Sequence, residues 1–66
     1  MQTEENTILN VMREVKELWR YKVISFSTMN KVIISCREKN VQQDILEFSK
    51  NMKQSDVVDL LIAANK

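Results

Sequence analysis

Apolar positions recur along this chain at helical spacing, and polar, cap-forming residues gather in the gaps between the recurrences. From residue 3 to residue 21, Ile8, Val11, Met12, Val15, Leu18 and Trp19 fall at i, i+3, i+4, i+7 and form one stripe. Thr3 is the expected N-cap, with Glu4 and Glu5 in the first turn, where the helix dipole favours negative charge. Arg13, Lys16 and Arg20 share a second face of the same helix.

Residues 22–38 support two readings. As a helix, Phe26, Met29, Val32, Ile33 and Cys36 cluster within an arc of about 120° at 100° per residue, and Ser27 or Thr28 supplies a cap. As a β-hairpin over 22–37, Lys22–Ser27 and Lys31–Cys36 both alternate and are rich in β-formers. The intervening Thr28-Met29-Asn30 then offers only Asn for a left-handed turn position. The absence of glycine favours the helix.

Asn40-Val41-Gln42-Gln43 has the form of a capping box, with Gln43 reaching back to Asn40. Val41, Ile45, Phe48 and Met52 follow at steps of three or four, with Leu46 at the stripe's edge, so a helix is expected over 41–53. Asn51 to Gln54 reads as a break. Ser55 then caps a last helix with Asp56 in its first turn, and residues 57–64 (VVDLLIAA) are apolar almost all the way round. A helix of that kind is normally buried.

There is no repeat, low-complexity tract or linker, so residues 1–66 read as a single small helical domain. The expected fold is all-α: three or four short helices in a small bundle, self-associated as a dimer. The alternative is α+β, with a first helix, a central hairpin over 22–37 and two C-terminal helices. Composition sharpens this. The chain contains no Gly and no Pro, whereas average usage would supply roughly 7% and 5%. Folds built on tight hairpins or many short strands are therefore disfavoured. A chain of 66 residues buries only roughly 60% of the surface its unfolded form exposes. Such domains often need a disulfide, a metal or a partner subunit. One cysteine, Cys36, makes no intrachain disulfide, and with no His in the chain a zinc site lacks its usual ligands. Good helix packing or self-association is what remains, and a two-fold dimer is expected.

The net charge of +1 is unevenly spread. Residues 13–39 carry seven bases against three acids, and both ends are mildly acidic. Met1 to Asn6 lacks the basic and apolar regions of a signal peptide, and the longest apolar run, Leu60–Ala64, is too short to span a bilayer. With one unpaired cysteine, a cytoplasmic location without membrane attachment is expected, in a cell or an infected host cell.

Catalysis finds little support. No His is present to act as a base near neutral pH, and zero Gly excludes a glycine-rich phosphate loop. Arg37 beside Cys36 would lower a thiol pKa, but Cys36 lies on the apolar stripe and reads as a packing residue. The pairs Glu14/Glu17 and Asp56/Asp59 read as solvated helix surface. No cofactor, metal or small-molecule substrate is expected.

Two binding modes stand. Arg13, Lys16, Arg20 and Lys22, with Trp19 and Tyr21 interleaved, have the composition of a nucleic-acid-contacting face. Against that, Trp19 falls on the buried stripe, and the helix from Asp56 offers acids and aliphatics where a recognition helix needs bases. Protein binding is preferred: Val57, Val58, Leu60, Leu61 and Ile62 supply an apolar surface for a second copy or a target, and Arg13, Lys16, Arg20 and Lys22 orient an acidic partner. The expected role is stoichiometric regulation, as in a small adaptor, inhibitor or anti-repressor. The size, the initiating Met and a Lys/Asn/Ile lean suggest a phage or bacterial source.

Overall fold

The computed structural model describes residues 4–65, and Thr3, the expected cap of the first helix, lies outside them. Four helices follow one another: α1 Glu4–Arg20, α2 Phe26–Ser35, α3 Lys39–Ser49 and α4 Gln54–Ala64. No strand occurs among the described residues. α1 is the longest and packs against each of the other three, and α4 also touches α2 and α3.

The expected stripe folds α1 onto the bundle, burying Ile8, Val11 and Val15. Its end is a Schellman turn: the Lys22 amide donates to the Trp19 carbonyl (3.0 Å) and the Val23 amide to the Leu18 carbonyl (2.9 Å). This geometry needs a left-handed residue at the first of the two donors, and Lys22 supplies it at φ 62°.

The hairpin alternative over 22–37 does not form. Residues 26–35 are helical because the helical period, and not alternation, separates inside from outside. Met29, Val32 and Ile33 are buried, whereas Ile34, which would share a strand face with Val32, is 53% exposed. The cap is Ser25, one turn-start earlier than Ser27 or Thr28. Its hydroxyl accepts the Thr28 amide at 3.1 Å and donates to the Thr28 hydroxyl at 3.1 Å. Ser27 and Thr28 are already helical.

The capping box at Asn40 is also corrected. α3 starts at Lys39 with Glu38 as a cap that makes no side-chain bond, so Asn40 lies inside the first turn. Gln42 is drawn the other way, its Nε2 donating to the Cys36 carbonyl at 3.0 Å and tying α3 to the end of α2. α3 stops at Ser49, short of the expected residue 53. Gln54 belongs to α4, and the cap there is Lys53, not Ser55, again without a side-chain bond. Gln54 fastens the start of α4 to α1 by donating to the Asn10 carbonyl (3.3 Å) and to Glu14 Oε1 (2.9 Å). At the far end, the Ser35 hydroxyl donates to Asn65 Oδ1 (3.1 Å), and Asn65 Nδ2 donates to the Leu61 carbonyl (2.8 Å). Both ends of α4 are thus held by amide side chains.

The core consists of Ile8, Val11, Val15, Met29, Val32, Ile33, Cys36, Ile45, Val57, Val58 and Ile62. It contains no aromatic ring and, among the described residues, no buried polar side chain.

Candidate interaction site

All four aromatic side chains are left outside that core: Trp19 is 41% exposed, Tyr21 76%, Phe26 59% and Phe48 44%. Aromatic rings carry the largest apolar areas of any side chains and dominate contact energetics when buried. Their exclusion from a core short of volume is the first feature that marks surface. Tyr21 stands in solvent after the end of α1, and the other three fall in two places.

The first is the corner between α1 and α2, where the Schellman turn redirects the chain. Trp19 and Phe26 meet edge to face, ring centroids 5.7 Å apart. Lys22, Val23 and Ile24 complete this patch with Ser25, and no acid lines it. The sequence stripe places Trp19 and Phe26 inside. The structure places them at the rim because α1 ends and α2 begins here, and no other element covers the corner. The basic residues Arg13, Lys16 and Arg20 share the exposed face of α1 at i, i+3, i+7, and Lys22 follows beyond the turn. Arg20 leans on Glu17 at 3.4 Å in an exposed pair, which contributes little to stability. The corner is therefore a cationic aromatic surface.

The second place is a groove of about 330 Å³ between α3 and α4, walled by Val41, Phe48, Leu60, Leu61 and Ala64. Ile45 and Val57, both buried, lie at its base. Among the described residues, Asp44 is the one charged residue lining it. Asp56 precedes Leu60 by one turn, and Asp56 and Asp59 are exposed on α4.

The five apolar residues of α4 therefore divide. Val57, Val58 and Ile62 pack within this chain's own core. Leu60, at 46% exposure, and half-buried Leu61 face the groove. The helix is apolar all round in sequence, but α1, α2 and α3 cover only part of its circumference. Spacing puts Phe48 on the α3 stripe, and its place across the groove from Leu60 is a relation the sequence pattern does not carry.

A third cleft, of about 470 Å³, lies between the start of α1, the α2–α3 turn and α3. Glu4, Glu5 and Arg37 line it together with Ile8, Met12 and Leu46, so it mixes both charges with apolar floor. Cys36 reaches this floor but is fully buried, and burial pushes its thiol up from 9.0 to about 11. That shift opposes formation of the thiolate that nucleophilic chemistry requires. Of the acid pairs, Glu14 accepts from Gln54 and Glu17 pairs with Arg20. No group of three or more His, Cys, Asp or Glu that could hold a metal ion occurs among the described residues. No helix among them is long and apolar enough to cross a membrane.

Fold and surface together define a small all-α unit with an apolar groove and a cationic aromatic corner. Compared with protein-family models, with curated proteins and with solved structures, the chain matches none.

Proposed function

We propose that this protein acts without catalysis, by stoichiometric binding of another protein, with the α3–α4 groove as the docking face. The observation that carries the reading is Phe48 facing Leu60, each nearly half exposed, across a groove with an aliphatic base. Half-exposed aromatic and leucine anchors around a preformed apolar trough suit capture of a partner helix or turn. Regulation then follows from occupancy: a bound target surface is a blocked one. An inhibitor or adaptor needs no further chemistry.

Nucleic-acid binding is the second reading, favoured by one observation. Trp19, Tyr21 and Phe26 stand exposed beside Lys16, Arg20 and Lys22, a combination that serves base stacking and phosphate contact.

The two separate on one experiment, purification of the full chain from its source cells beside Leu60→Asp and Phe48→Asp. The docking reading expects one protein at fixed stoichiometry, lost in both variants and retained from about 0.1 M to about 0.5 M salt, because an apolar contact is weakly screened. A complex indifferent to both variants contradicts it. Release of nucleic acid over that salt range, with the variants unaffected, would establish the second reading instead.

A further inference from the structure

The groove and the corner have opposite chemistry and share no residue. Asp44 lines the groove, Asp56 stands one turn before Leu60 on α4, and among the described residues no lysine or arginine lines it. The corner presents Trp19, Val23 and Phe26 with Lys22, and Lys16 and Arg20 on the adjoining face of α1. An apolar groove carrying an acid and an apolar corner carrying a base are thus present on one molecule, on different element pairs. Lys22 itself stands in the turn that builds the corner, at a left-handed φ of 62°.

We propose that the α3–α4 groove of one copy receives the α1–α2 corner of a second copy, head to tail. This rests on the docking reading and names the occupant. Groove against groove would bring Asp44 and Asp56 of both copies together, and corner against corner would oppose Lys16, Arg20 and Lys22 to themselves. Only the mixed pairing sets unlike charges around the joined apolar surfaces. A pair joined by one such contact leaves one groove and one corner free. These either meet each other and close a two-fold dimer through two reciprocal contacts, or recruit further copies into a larger ring or an open chain.

Sedimentation velocity on the full chain from about 10 µM to about 1 mM tests this, since mass action populates a weak assembly over that range. Wild type should sediment increasingly fast with concentration, beyond the value of a monomer. Trp19→Asp removes the corner and Leu60→Asp removes the groove, and each variant alone should remain monomeric. Their equimolar mixture should form a 1:1 dimer and nothing larger, because one intact corner meets one intact groove. Circular dichroism checks the folding of each, and Lys22→Glu replaces Trp19→Asp if that variant does not fold.

A two-fold dimer that survives Trp19→Asp overturns the proposal, and so does a mixture that fails to assemble. Wild type that stays monomeric at every concentration also overturns it. Nile red then tells the two claims apart. Uptake by wild type that is lost in Leu60→Asp leaves the docking groove standing without the self-contact, and no Leu60-dependent uptake removes both.

Discussion

Lys22 stands at a backbone position that glycine fills without steric penalty. A β-carbon there costs about 1 kcal/mol, so Lys22→Gly should keep the Schellman turn and raise stability. Offset by the greater freedom of glycine in the unfolded chain, the gain should be about 0.5 kcal/mol, read as a rise in Tm of a few degrees. The same variant should weaken binding at the corner if the ammonium is used there. Cys36 is the other residue with a definite chemical signature. Its thiol titrates near 9 when unfolded and about 11 when folded, so the folded state holds its proton more tightly. The resulting stabilisation is complete below pH 9 and is lost as pH rises through 11. Its upper limit is about 2–3 kcal/mol. Urea unfolding of wild type and Cys36→Ala between pH 8 and pH 11 should therefore converge as pH rises, and native Cys36 should resist alkylation at pH 8. Neither feature was legible in full. The stripe placed Cys36 inside, but nothing in the order of residues marks Lys22 as left-handed, because the turn is defined by the Leu18 and Trp19 carbonyls it closes on.

Helix identity was more legible than helix ends. Period placed α1 and α3, an apolar run behind cap-forming residues placed α4, and the absence of glycine favoured the helix that forms as α2, where Ile33 is buried and Ile34 is exposed. Caps failed because several eligible residues stand in a row. Ser25, Ser27 and Thr28 all qualify, and the choice falls on the one that the Schellman turn delivers in extended conformation, at φ −74° and ψ 162°. Asn40 lost its expected role because α3 starts one residue earlier, at Lys39, and Gln42 supplies the tie at this end by bonding the Cys36 carbonyl. Two stability changes follow. Ser25→Ala should destabilise by about 1 kcal/mol, since it removes the oxygen that satisfies the Thr28 amide. Lys53→Asp should stabilise by about 0.5–1 kcal/mol, because the cap of α4 makes no side-chain bond and a carboxylate there suits the dipole. In a domain of this size, each should move Tm by roughly 4–8 °C per kcal/mol. Equal and opposite shifts in thermal melts would support the capping assignments, and no shift for Ser25→Ala would refute that of α2.

At the scale of the molecule, the decisive relation is between a core made of aliphatics and a surface that keeps the aromatics. Single-element reading could not see it. Trp19 and Phe26 lie on apolar stripes and are exposed because the bundle has no element over its α1–α2 corner. The α4 helix reads as uniformly apolar, and half its circumference stays outside because three short neighbours cannot surround it. What the sequence expects as one partner surface at Val57–Ile62 is therefore two things: a core face of Val57, Val58 and Ile62, and a groove face of Leu60 and Leu61. The same distinction gives opposite mutational outcomes. Ile45→Ala, at a fully buried site, should cost about 2–5 kcal/mol, close to the whole margin of roughly 3–5 kcal/mol available to so small a core. Leu60→Asp should leave the melt nearly unchanged and abolish contact.

The most direct test of the two-surface description is an amide-resolved NMR dilution series on the wild-type chain, with the Trp19 indole followed alongside. Over two decades of concentration, shifts should move together at residues 19–26 and along the groove-facing positions of α3 and α4, and remain still at the core. Shifts confined to one of these surfaces, located instead on the cleft at Glu4 and Arg37, or absent throughout would contradict it.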